Sequence, residues 1–169
     1  PKKIKEILKD FEDDKVYHFA QNNYYFYLNL QDISNNLLSF TGEFKFKFNK
    51  KWLGSKMFSY VQLGDKDIVT FRYPSSKKNG IRVENGGWHF TYMSREKDDD
   101  IIDSIKYKIE NAAHQEFNNK KIINNIGNKI ASQKDIFNRK SKFKKVDIDD
   151  SFPEFLLNNK TLFEHLILK

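Results

Sequence analysis

An α/β fold is what this sequence predicts, on three observations. Ile4, Ile7, Leu8 and Phe11 recur at helical spacing with lysines and acids between them. Val16-Tyr17-His18-Phe19-Ala20 and Tyr24 to Leu30 are short runs of aromatic and β-prone residues. Ile101, Ile102, Ile105 and Ile109 then return to a 3.6-residue period. A helix with one apolar stripe has to lay that stripe on another element, and strands beside it supply the sheet.

The elements follow in order. Residues 2 to about 13 predict an amphipathic helix. The two aromatic runs predict strands, with Gln21-Asn22-Asn23 as a polar break. Phe44, Phe46 and Phe48 alternate with Lys45 and Lys47, the pattern of a half-exposed or edge strand. Ile68 to Tyr73 is a β-prone run ended by Pro74 and a polar turn through Asn79-Gly80. Ile81-Arg82-Val83 is a short strand leading into Gly86-Gly87. Asp98 to Asp100 precede the isoleucine stripe, where acids complement the helix dipole. Ile122, Ile123, Ile126 and Ile130 predict one further helix, Phe143 to Ile148 a strand, and Pro153 to Asn158 a short helix with proline at its start. No repeat, linker or low-complexity tract interrupts the chain, so 169 residues form one domain on this reading.

Composition narrows the classes. Hydrophobic content is only 38%, but 16 Phe and 8 Tyr give large buried surfaces from few residues, which argues against disorder. With no cysteine there is neither a disulfide framework nor a thiolate metal site, a pattern compatible with a reducing compartment. No window approaches a membrane span and the N-terminal stretch is charged, so the chain is expected to be soluble, without a membrane segment. The formal charge of +7 permits polyanion binding. Its clusters, Lys45 to Lys51 and Lys140 to Lys145, are interrupted by Asp98-Asp99-Asp100 and by Asp147, Asp149 and Asp150. That arrangement fits solvated surface or attraction for a nucleotide diphosphate better than nucleic acid, and heavy use of Asn, Lys, Ile and Phe suggests AT-rich coding.

Site-building residue types are concentrated in a few stretches. Asn85-Gly86-Gly87-Trp88-His89-Phe90-Thr91-Tyr92 combines two glycines, at which a ligand can approach the backbone, with flat rings and an imidazole. Ala113-His114-Gln115-Glu116-Phe117-Asn118, Asp135-Ile136-Phe137-x-Arg139 and Ser151-Phe152-Pro153 follow. In this order, with Trp52-Leu53-Gly54-Ser55-Lys56 upstream, they resemble glycosyltransferase family 17, the family of the β-1,4-mannosyl-glycoprotein β-1,4-N-acetylglucosaminyltransferase that adds the bisecting GlcNAc. The resemblance runs along nearly the whole chain.

It implies a GT-A-like α/β domain and an inverting transferase that moves N-acetylglucosamine from UDP-GlcNAc, or a similar nucleotide sugar, to a glycan or glycoprotein acceptor. It also implies a divalent cation, Mn²⁺ foremost, held mainly by an Asp-x-Asp segment ahead of Pro1. On that expectation the chain is the C-terminal portion of one incomplete domain, without the Rossmann-like half, and inactive by itself. A non-animal homologue would be cytoplasmic; an animal-type enzyme would sit in the Golgi lumen behind an upstream anchor.

Inverting transfer needs neutralisation of the leaving diphosphate, a base for the acceptor hydroxyl and a pocket that orients both sugars. His114, after the small Ala112-Ala113, is the candidate extra metal ligand, with a histidine paired to a carboxylate as the alternative. His114 and Glu116 are two apart, so they face one site only if the helix ends between them. Where the family has Gly-Gly-x-(Glu/Asp) this chain has Ser94-Arg95-Glu96-Lys97-Asp98, a departure that loses both glycines. Glu96 is the nearest match for the base, with Asp98 and Glu116 beside it, and a solvated first-turn acid as the alternative for each. Trp88 is either a sugar-stacking platform, with His89 and Tyr92 reaching the hydroxyls, or a core residue. Arg72 and Arg139 pair with a phosphate or with a carboxylate. His18 and His165 read as structural. The rival from another class is a non-catalytic basic module binding nucleic acid or glycan through Trp88, Tyr92 and the phenylalanines. P-loop, dinucleotide, zincin and esterase signatures are absent from the sequence.

Overall fold

The computed structural model describes residues 2–40, 44–49, 51–68, 71, 79–94 and 100–169, with the backbone alone at 2, 35–40 and 44–49. The fold is α/β. The expected single domain divides into two compact units, residues 1–22 with 51–87, and residues 23–50 with 88–169.

In the first unit, helix α1 (Lys2–Ile7) runs into a 3-10 turn at Leu8–Asp10, so the expected helix is shorter and tightens at its end. Its Ile7, with Phe11 beyond the turn, packs against Tyr17, Phe19 and Val83. Strand β1 (Val16–Phe19) is buried at all four residues because it lies between two others. It pairs antiparallel with β6 (Lys56–Met57) and parallel with β7 (Gly80–Val83), in register Tyr17 to Met57 and Tyr17 to Ile81. The short α2 (Tyr60–Leu63) follows β6.

The second unit is built on a sheet of order β8-β2-β3-β9, comprising β2 (Asn22–Tyr25), β3 (Leu30–Asp32), β8 (Trp88–Thr91) and β9 (Phe143–Lys145). A separate antiparallel pair, β4 (Asn35–Phe40) and β5 (Phe44–Asn49), sets Leu38 opposite Phe46. The run from Tyr24 to Leu30 is not one strand. Phe26 adopts φ 64°, the chain turns, and β3 comes back antiparallel to β2. Buried Asn29 fixes that turn: its amide nitrogen donates to the Leu168 carbonyl at 3.0 Å, and its oxygen accepts from the Leu168 amide at 2.8 Å.

Helix α3 (Ile101–Glu110) starts where the acids place it, with Asp100 Oδ1 accepting from the Ile102 amide at 2.8 Å. Ile105 and Ile109 are buried against Tyr25, Phe26, Leu30, Ile126, Ile130 and Ile136. Each contributes about 1.5–3 kcal/mol by leaving water. The one helix expected from Ile122 to Ile130 is two, α4 (Lys120–Ile123) and α5 (Ile126–Ala131). Asn124-Asn125 separate them, a residue type whose side chain competes with helical hydrogen bonding. Helix α6 (Glu154–Asn158) begins after Pro153 and is followed by a 3-10 segment, Lys160–Leu166, that the sequence pattern did not predict. Together they close a second cluster around Tyr24, Leu28, Phe152 and Leu156. No described helix is long and apolar enough to cross a membrane.

Candidate functional site

The site grows from the end of β8. Past Thr91 the backbone enters the left-handed region at Tyr92, φ 57°. An aromatic residue rarely adopts that conformation, and here the Tyr92 ring stacks on Tyr25, with centroids 5.6 Å apart. Helix α3 contributes Lys108 and Ile109 from its last turn. The chain leaves that helix at Asn111 and forms a 3-10 turn at Gln115–Phe117. Because regular helix has ended before His114, its Nδ1 and Glu116 Oε1 approach to 2.9 Å, which the 200° separation on a continuous helix would prevent.

The fourth contributor is the loop from Asp135 to Arg139. Asp135 is buried, and its Oδ1 accepts from the amides of Phe137 (2.9 Å) and Arg139 (3.0 Å). Its carboxylate also takes the guanidinium, from Nε at 3.0 Å and Nη2 at 2.7 Å. Arg139 lies 5.0 Å from the Phe137 ring centre. Tyr92, Lys108, Ile109, Ala112, His114, Phe117, Phe137 and Arg139 thus enclose a cleft of about 180 Å³. That is smaller than the ~300–1,000 Å³ of a drug-sized pocket, so it suits part of a larger ligand, such as one anionic group and the face next to it.

Burial pushes the Tyr92 phenol up despite the opposing Arg139 charge, and pulls the Lys108 ammonium down. For Arg139, burial lowers the pKa but the Asp135 hydrogen bonds outweigh it, so the guanidinium is held still more firmly charged. Backbone hydrogen bonding, opposed by desolvation and supported by His114, holds the exposed Glu116 carboxyl below its usual range. A base so placed is ionised at any working pH but takes a proton weakly.

Of the residues singled out by sequence, Tyr92, His114 and Arg139 come together at the cleft, with Glu116 beside His114. Trp88 and His89 lie elsewhere in the same unit. The Trp88 indole packs in the Tyr24–Phe152 cluster and donates Nε1–H to the Ser151 carbonyl at 3.1 Å. His89 Nδ1 is 2.7 Å from Oδ1 of buried Asn23. Gly86 and Gly87 belong to the first unit. A Cβ on Gly86 would come within 2.7 Å of Phe19 Cβ and 2.8 Å of the Ala20 nitrogen, so the protein's own strand fills the space read as room for a ligand. Gly87 has φ 121°, which a side chain would resist. Glu96, Asp98 and Arg72 lie outside the described residues. Sequence reasoning passed over Lys108 and Thr91; the available signal was Lys108's position beside Ile109 on the flank of the buried stripe.

The cation expected from the resemblance finds no complete site here. Among the described residues no three His, Asp or Glu side chains gather to hold a metal ion, and His114 with Glu116 makes only two donors.

A pH dependence follows from buried His18 and half-buried His89. Burial, and then the charge of Lys108, lower the His89 pKa from 6.5; burial, and then Lys56, do the same for His18. The unfolded chain therefore binds these protons more readily. Their contribution is complete above about pH 6.5 and is lost as pH falls through the lower folded values. Thermal melts should show Tm falling between pH 7.5 and 5.5, with a shallower fall in His89→Gln. A Tm that rose on acidification would contradict the assignment. No family model matches the chain, and no curated protein or solved structure does.

Proposed function

We propose that this chain belongs to an inverting glycosyltransferase resembling family 17, which transfers N-acetylglucosamine from UDP-GlcNAc or a close analogue to a glycan or glycoprotein acceptor. One observation carries the reading. The stretches on which the resemblance rests are far apart in sequence, yet Tyr92, His114, Phe117, Phe137 and Arg139 line one cleft, and Trp88 bonds Ser151 in the same unit.

In this reading the cleft supplies binding and orientation. Lys108 and Arg139 provide positive charge, while Tyr92, Phe117 and Phe137 provide apolar faces on which a sugar or base can lie. The acceptor's proton goes to a carboxylate, with Glu96, Asp98 and Glu116 as the candidates. Glu116 stands next to the cleft but is a weak base; the other two are not described. In the family reading a divalent cation would be held by carboxylates outside the described residues, with His114 as one additional donor, and would supply positive charge toward the leaving diphosphate.

The test uses the longest polypeptide the reading frame encodes, incubated with Mn²⁺, UDP-GlcNAc carrying a labelled sugar, and mannose-bearing glycopeptides or free glycans. The expected product is a β-linked N-acetylglucosamine. Absence of both transfer and donor hydrolysis, with tight binding of single-stranded nucleic acid instead, would replace this reading by the basic binding module.

A further inference from the structure

Lys108 lines the cleft, and among the described residues no carboxylate pairs with it. Lys108 Nζ donates to Thr91 Oγ1 at 2.7 Å and sits 4.4 Å from the centre of the Tyr92 ring. Those neutral partners are its only contacts of this kind among the described residues, none of which brings a carboxylate within ion-pair distance. The other lysine of this helix behaves differently: Lys106 is paired with Asp103 at 2.8 Å. The hydroxyl and the ring face fix the position of this exposed residue's ammonium without neutralising its charge. Across the cleft, Arg139 gives Nε and Nη2 to Asp135, which leaves Nη1 without a hydrogen bond among the described residues. Lys108 is also held in place, by Thr91 below it and the left-handed Tyr92 beside it, so its position is set before any ligand arrives.

We propose that this cleft is an anion site in which Lys108, assisted by Arg139, receives one phosphoryl group, with Tyr92, Phe117 and Phe137 covering the flat or apolar part of the same ligand. A phosphoryl group fits better than a carboxylate because it presents three acceptor oxygens to two cations that belong to different elements of the cleft lining. The proposal deepens the nucleotide-sugar reading and rests on it for the identity of the natural ligand.

Inorganic pyrophosphate is the probe, titrated into the protein at low salt and followed by calorimetry and by the Lys108 ¹³Cε resonance. Wild-type protein should bind it and the ammonium pKa should rise on binding. Lys108→Met should weaken binding by about 10- to 100-fold, the range for a charge-assisted hydrogen bond. Lys108→Arg should recover most of it, and Lys144→Met, at an exposed lysine on β9, should leave it unchanged. Equal affinity in Lys108→Met, an unmoved ¹³Cε resonance, or an equal loss in Lys144→Met would overturn the site, the last by reducing it to diffuse surface charge. The two readings fail separately. Pyrophosphate bound through Lys108 in a protein that transfers no sugar keeps the site and removes the nucleotide sugar. Transfer at wild-type rate and KM by Lys108→Met keeps the enzyme and removes the site.

Discussion

Asp135→Ala should lower unfolding stability by about 2–4 kcal/mol, while Asp135→Asn should lose about half as much. The carboxylate is 1% exposed and holds four donors: the amides of Phe137 and Arg139, and two guanidinium nitrogens. Alanine leaves all four without their acceptor in a partly buried loop. Breaking a fully buried ion pair costs about 3–5 kcal/mol, and the lower range applies here because the Arg139 side chain is 44% exposed and water can reach it. Asparagine keeps a carbonyl oxygen where Oδ1 stands, so the two amides stay bonded and mainly the charge is lost. Urea unfolding at constant m-value separates these outcomes. Equal loss in both variants would mean that the charge alone holds the loop; loss under 1 kcal/mol in Asp135→Ala would mean that the loop keeps its shape without the carboxylate. The same experiment bears on function, because Arg139 can reach the cleft only while Asp135 fixes it.

How much of this was legible in the sequence differs from element to element. Helix α3 was, because Ile101, Ile102, Ile105 and Ile109 set the period and Asp100 marks the start. Strand β1 was, since Val16 to Phe19 is short, β-prone and bounded by polar residues. The turn at Phe26 was not: Tyr24 to Leu30 contains no glycine or proline, and what bends it is a hydrogen-bonded pair between Asn29 and Leu168, 139 positions away. Local pattern contains no record of such a contact. The break between α4 and α5 was missed because four isoleucines keep helical spacing across Asn124-Asn125.

The candidate site divides along the same line. His114, Tyr92 and Arg139 were found by residue type and neighbourhood, and they do meet. Lys108 was illegible because a lysine on an amphipathic helix ordinarily has no fixed partner; what holds its ammonium at the cleft is Thr91 and Tyr92, which arrive from the end of β8. Gly86 shows the opposite error. A glycine pair before a tryptophan reads as room for a ligand, but at Gly86 the atoms that need the room are Phe19 and Ala20.

Phe26→Ala should cost about 3–5 kcal/mol, and Phe26→Gly should be no less stable than Phe26→Ala. The ring is fully buried, edge-on to Tyr25 and to Phe143 with centroids 6.1 Å away in each case, among the isoleucines of α3 and α5. Removing it forfeits transfer free energy and leaves a cavity that two sheet residues and two helices can close only in part. At most buried positions glycine would then lie a further ~0.5–1 kcal/mol below alanine, because it loses more backbone freedom on folding. Here φ is 64°, where an L-residue bears about 1–2 kcal/mol of crowding between Cβ and the carbonyl, and glycine bears none. The two effects oppose each other at similar size, so the usual order is erased or reversed. Urea midpoints for wild type, Phe26→Ala and Phe26→Gly decide it. Glycine falling 1 kcal/mol or more below alanine would show that residue 26 is not left-handed in solution. β2 would then run on toward Leu30 as one strand, and the Asn29 to Leu168 pairing that anchors the C-terminal segment could not form.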